Sequence, residues 1–125
     1  MMKAIALIKR KPGLSRSEFR AHYENNHAPL ALTFIGQFLT DYRRSYPIEA
    51  FSYAKAVDAD GGASESGFGY DCITELWFES RDMMDRMLTV LAEPAVRDVL
   101  QQDEERFLDR TSVVFIPCEE TTSAL

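Results

Sequence analysis

The stretch Tyr70-Asp71-Cys72-Ile73-Thr74-Glu75-Leu76-Trp77-Phe78-Glu79 decides how the chain folds. Its side chains alternate, with Cys72, Thr74, Leu76 and Phe78 on one face and Asp71, Ile73, Glu75 and Trp77 on the other. β-branched and aromatic residues favour the pleat, so the stretch reads as a strand. Ser80 then supplies an N-cap, and Met83, Met84, Met87, Leu88 and Leu91 share one face of the helix that follows. Pro94 takes the tolerated first position of a further helix, whose apolar positions are Val96, Val99, Leu100, Phe107 and Leu108. Residues 112–118 return as a last strand, with Pro117 marking an edge or bulge, and residues 119–125 read as a frayed tail.

Upstream, residues 3–10 read as a strand that stops at the turn Lys11-Pro12-Gly13. Ser15 and Glu18 have the spacing of a capping box, flanked by the apolar pair Leu14 and Phe19. The helix places Phe19, Tyr23 and His27 at four-residue intervals, a slowly drifting stripe. Pro29 disfavours helical backbone at Ala28, which predicts a break or kink there. A second helical piece from Leu30 to Ile35 should end at Gly36. Residues 37–46 read as a second strand closed by Pro47. Residues 58–69, with Gly61, Gly62, Gly67 and Gly69, read as a loop and as the segment expected to move most.

The order is βαββαβ, the ferredoxin-like arrangement of an α+β fold: an antiparallel four-stranded sheet with helices on one face. A chain of 125 residues suits this as a single domain, 1–125. For residues 3–10 the pattern leaves open whether Ala4, Ala6 and Ile8 or Ile5, Leu7 and Lys9 meet the helices. The uncovered face carries Ile73 and Trp77, and an apolar sheet face of that size is unusual on a soluble monomer. A second copy packed sheet to sheet, as an isologous homodimer, covers it. Asp71 and Glu75 on the same face argue against a wholly dry interface, because buried carboxylates need partners. A hollow between the two sheets, apolar with a few polar groups, is then the expected place for a small organic ligand.

A formal net charge of −6 argues against non-specific nucleic-acid binding, which needs clustered cations. Lys and Arg crowd residues 1–20, whereas acids outnumber arginines over residues 71–110. These are solvated faces of opposite sign, or two copies meeting with complementary charge. Cys72 and Cys118 form no zinc or CxxC spacing. The early apolar run Ala4–Ile8 is too short for a signal segment or a membrane span. The expectation is a cytoplasmic protein with reduced thiols and no membrane partner.

The run from Lys9 through Lys11-Pro12-Gly13, Ser15, Glu18 and Phe19, followed by Tyr23, His27, Pro29 and Leu30, resembles the N-terminal signature of the EthD family. Tyr70-Asp71, Glu75 through Phe78, and the segment Asp103 to Asp109 resemble its second half, so the likeness covers most of the chain outside residues 47–69. Ala28 stands where that family usually has Gly, Cys72 where Gly is common, and Tyr23 where Trp is common. The resemblance implies a dimeric α/β barrel acting on a small organic molecule. It also implies oxidoreductase chemistry, or decarboxylase or cyclase chemistry on aromatic polyketides, without a bound cofactor. A non-catalytic role, supporting a partner oxygenase, is the alternative.

Among candidate site residues, His27 suits general acid–base work, since histidine ordinarily titrates near 6.5. The other reading is a histidine that caps the end of its helix. Tyr23 either donates to a substrate oxygen or is a core aromatic with a satisfied hydroxyl. Trp77 forms a cavity wall, a dimer anchor, or both. Glu75 and Asp71 either orient His27 or hold a ligand hydroxyl, or else Asp71 caps the glycine-rich turn and Glu75 pairs with an arginine such as Arg43. Lys9 neutralises an acidic substrate or is a solvated strand end. His22 and His27, five apart, lack metal-ligand spacing. Gly67-Phe68-Gly69 completes no dinucleotide fingerprint, because position 72 is Cys. Nothing favours haem, and Met83, Met84 and Met87 read as core filling.

Overall fold

The computed structural model describes residues 2–51, 56–57 and 68–125. The chain runs through strand β1 (Met2–Ile8), helix α1 (Arg16–His22), a π-helical turn Tyr23–His27 and helix α2 (Ala28–Ile35). After β2 (Asp41–Ser45) come the two-residue strands β3 (Ala50–Phe51) and β4 (Ala56–Val57), which form their own hairpin. Strand β5 (Cys72–Phe78), helices α3 (Arg81–Ala92) and α4 (Pro94–Glu104), and β6 (Val114–Glu119) complete it. The main sheet has the order β2-β5-β1-β6 with every pairing antiparallel, the ferredoxin-like α+β fold.

Register decides the faces. Ala6 lies opposite Thr74 and Ala4 opposite Leu76, so Ala4, Ala6 and Ile8 join Cys72, Thr74, Leu76 and Phe78 on the buried, helix-facing side. The layer between sheet and helices is filled by Phe19, Phe78, Met84, Met87 and Phe107, all fully buried. Ile5, Leu7, Ile73 and Trp77 take the opposite face and stay half-buried, next to exposed Val114 and Ile116 of the edge strand β6. Pro117 sits on that edge, where its missing N–H costs no ladder bond to an outer neighbour.

The caps form as their residues dictate. Ser15 Oγ accepts from the Glu18 N–H at 3.1 Å, and Glu18 Oε1 accepts from the Ser15 N–H at 2.9 Å. Ser80 Oγ accepts from the Met83 N–H at the start of α3. Gly13 takes the left-handed conformation, φ +93°, that the Lys11-Pro12-Gly13 turn requires.

Three expectations are corrected. The helix does not break ahead of Pro29: Ala28 stays helical at φ −61°, ψ −47°, and its N–H reaches back five residues to the Tyr23 carbonyl. This widened turn replaces the missing proline donor with a different pairing, so the helical path continues to Ile35. Strand β2 begins at Asp41 rather than 37, because Gly36–Phe38 continue as a 3₁₀ turn. Leu88 and Val99 lie outside the core, since α3 and α4 bury only a narrow stripe built on Met84, Met87, Val96 and Leu100. The βαββαβ order and the two helices in each connection stand as expected, with the small β3–β4 hairpin added between β2 and β5. Most of the glycine-rich stretch, residues 58–67, lies outside the described residues. Among the described residues, no helix is long and apolar enough to cross a membrane.

Candidate functional site

A cavity of about 270 Å³ opens between the sheet and the helices. Ala6, Ile8, Leu76, Ala31, Ile35 and Met87 supply apolar wall, and Tyr23, His27, Tyr42, Thr74, Glu104 and Arg110 supply the polar groups. A hollow of this kind, mainly apolar with a few convergent polar atoms, is the form small-molecule sites take.

His27 enters from the π turn and is buried. Its Nδ1 lies 2.9 Å from Asp103 Oδ2, on α4. An ionised carboxylate only accepts, so the proton of a neutral His27 ring belongs on Nδ1 and the lone pair on Nε2. Nε2 lies 4.0 Å from Glu104 Oε2, another cavity group, whose Oε1 accepts from Arg110 Nε at 3.1 Å. The site therefore presents a basic nitrogen at a mouth lined by one carboxylate and one guanidinium. Phe107, fully buried just beyond α4, packs against the His27 ring at 5.0 Å and the Tyr23 ring at 5.4 Å.

Tyr23 and Thr74 share a 2.6 Å hydrogen bond between their hydroxyls on the opposite wall. Burial holds the Tyr23 phenol well above its ordinary range, so it stays protonated and serves as a hydrogen-bonding group rather than a base. Burial likewise pushes the Cys72 thiol up to about 12, which keeps it in the unreactive protonated form. Beside this wall, Glu24 accepts two bonds from the Arg44 guanidinium, at 2.7 and 2.9 Å, and a third from Tyr46. Arg44 holds the Glu24 carboxyl down at about 2 and locks the π turn to β2.

Of the residues singled out from sequence, the structure brings His27 and Tyr23 to the cavity and leaves the others elsewhere. Trp77 and Glu75 lie on the open face of the sheet. Glu75 accepts from Lys3 Nζ at 2.8 Å rather than from Arg43, and Trp77 Nε1 donates to Glu120 at 3.0 Å between the cations of Lys3 and Arg43. Asp71 precedes β5 and is buried, accepting from the Arg10 backbone N–H at 2.9 Å. Lys9 lies with its ammonium over the Tyr70 ring at 5.3 Å. Neither Asp71 nor Glu75 orients His27. Asp103 does, because α4 rather than β5 packs beside the π turn. His27 does not cap a helix end either, since the helical path runs on through α2. The hollow itself lies on the helix side of one chain's sheet, not on the side expected to face a second sheet. Asp103, Glu104, Arg110, Tyr42 and Thr74 escaped notice as site residues. The one available signal was the Asp103–Asp109 segment, which carries part of the family likeness. Among the described residues, no group of three or more His, Cys, Asp or Glu is placed to hold a metal ion.

No protein with a curated description matches the sequence. Solved structures match along the whole chain at low identity. An ethyl tert-butyl ether d (EthD) family protein from Bacillus halodurans aligns with a TM-score of 0.62 and 19% identity, over 97% of this chain and 99% of that one. A protein of Arabidopsis thaliana aligns with a TM-score of 0.62 and 18% identity, over 100% of both. A dimeric protein of ferredoxin-like fold from Bacteroides fragilis aligns with a TM-score of 0.55 and 8% identity, over 95% of both. At these identities the likeness shows the fold. The EthD domain model matches residues 11–111, from the turn before α1 to beyond Asp103 and Arg110, and the chain belongs to the EthD domain family.

Proposed function

We propose that this chain binds a small apolar or aromatic oxygenated molecule in the cavity beneath its sheet and transforms it with His27 as acid and base. The observation that carries this is the Asp103–His27 hydrogen bond, which leaves Nε2 as the basic nitrogen of a buried ring that lines an apolar hollow. A positioned imidazole of this kind contributes on the order of 10²–10⁴ in rate when it moves a proton in the transition state. The hydroxyls of Tyr23 and Tyr42 favour a ligand that carries oxygen, and the aliphatic walls favour a carbon skeleton with few charges. Proton-driven decarboxylation or cyclisation asks no resident cofactor of these residues, whereas an oxidation would also need dioxygen or another electron acceptor.

The working unit is a homodimer. The half-buried stripe of Ile5, Leu7, Ile73 and Trp77, continued by exposed Val114 and Ile116, is an apolar sheet face with no cover from its own helices. A second copy leaves the cavity, on the other side of the sheet, accessible in each chain.

The test is a panel of phenols, hydroxylated aromatic acids and aromatic ketones. Binding is read by thermal shift and conversion by mass spectrometry, for the unaltered chain and for His27→Ala. The proposal expects conversion that is lost in His27→Ala while the fold and ligand binding persist. Conversion at an unchanged rate in the variant would remove His27 from the chemistry. Binding without conversion in either protein would leave the non-catalytic, accessory role.

A further inference from the structure

We infer that His22 is a positioning residue for His27, acting through Asp103, so that the two imidazoles and one carboxylate operate as a single hydrogen-bonded unit. This rests on the reading of His27 as the acid–base group and extends it to a residue outside the cavity.

The geometry is specific. Asp103 is buried, and each of its carboxylate oxygens meets one ring: Oδ1 lies 2.9 Å from His22 Nε2, and Oδ2 lies 2.9 Å from His27 Nδ1. On a regular α-helix, residues five apart diverge by about 140°, which puts them on different faces. The π turn between Tyr23 and His27 widens the path by one residue and brings both rings to the same side, facing α4. Single π turns of this type recur at functional sites. Phe107 completes the holder: the His22 ring stacks on it at 4.7 Å and 29°, and the His27 ring touches it at 5.0 Å.

The proton placement follows. The ionised carboxylate accepts on both oxygens, so His22 is held with its proton on Nε2 and His27 with its proton on Nδ1. Removing the His22 donor leaves Asp103 Oδ1 buried without that partner, a state costly enough to turn the carboxylate and release its hold on His27. Among the described residues, the other charged or titratable side chains around His27 are Glu104, 4.0 Å from Nε2, Arg110 bonded to Glu104, Tyr23, whose ring lies at 5.6 Å, and Tyr42 across the hollow. Because the rings share one carboxylate, turning it toward either ring loosens its hold on the other.

The chain has two histidines, so ring-nitrogen NMR of the full, ¹⁵N-labelled protein reads only these two side chains. With both rings neutral, the unaltered protein should show His27 protonated on Nδ1 and His22 protonated on Nε2. His22→Gln places an amide donor where Nε2 stood and should preserve the His27 tautomer. His22→Phe keeps the ring on Phe107 without the donor and should turn His27 into a mixture of tautomers. His27 remaining wholly Nδ1-protonated in His22→Phe would overturn the inference. So would a bare Nε2 on His22 in the unaltered protein, a result that needs no variant to fold. Neither readout involves turnover, so failure here leaves the His27 conversion test standing, and failure there leaves the hydrogen-bonded unit standing.

Discussion

Replacing Phe107 by Ala removes the ring on which both the fold and the site are assembled. Phe107 is 0% exposed and touches Phe19 at 5.6 Å, His22 at 4.7 Å, Tyr23 at 5.4 Å and His27 at 5.0 Å. A buried Phe→Ala change costs about 3–5 kcal/mol, and the cost rises with the cavity left behind. The neighbouring rings are tied by hydrogen bonds to Asp103 and Thr74, which keeps them from collapsing inward, so a loss of about 4 kcal/mol is expected. Set against a total stability of roughly 5–15 kcal/mol, such a variant should still fold but with a much reduced margin. Phe107→Leu keeps most of the volume and should cost only about 1.5 kcal/mol, mainly through lost ring contacts. Urea unfolding at fixed protein concentration, followed by the fluorescence of the single Trp77, measures both. With an m-value of about 2 kcal/mol/M, the Ala variant should unfold about 2 M earlier and the Leu variant less than about 1 M earlier, with m unchanged. An Ala cost below about 1 kcal/mol, or equal costs for Ala and Leu, would refute the idea that this ring organises the helix–sheet seam.

Two further outcomes are expected. The Glu24 carboxyl is held at about 2 in the folded chain against an ordinary 4.5, so its ion pair with Arg44 stabilises fully above 4.5 and fades as pH falls from there toward 2. The Glu24 side chain is 35% exposed, which screens the contribution to on the order of 1 kcal/mol; Glu24→Gln should lower the urea midpoint near neutral pH and flatten its decline between 4.5 and 2, and an unchanged acid limb would count against the pair. On the proposal that two copies meet through the open sheet face, light scattering should find a dimer for the unaltered chain and a single-chain mass for Ile73→Lys, with an unaltered circular dichroism spectrum. A variant that stays dimeric would show that the two copies do not meet through this face.

Much of the architecture was legible because it is encoded locally. The Ser15–Glu18 capping box spans three residues, and its donors and acceptors have few other places to go. The alternation of residues 72–78 could be assigned to two faces because a pleated strand admits only two. Which set of β1 faced inward was not legible, since Ala4, Ala6 and Ile8 are no more apolar than Ile5 and Leu7; only the register against β5 puts the alanines on the helix side. The site was half legible. His27 and Tyr23 share a helical stripe that can be read off the chain, whereas Glu75 and Asp71 stand out by strand alternation and the family likeness, and their partners are Lys3 and the Arg10 backbone.

From its residues alone the chain determined its main strands and its helix starts, because each depends on preferences that act within a few positions. Only the tertiary structure decided that the helical path would pass Pro29 through a π turn, and that His22 and His27 would meet one carboxylate 81 and 76 positions along the chain. Contacts at that separation depend on how α4 lies across the turn once the core has formed, and no local pattern of residue types records that placement.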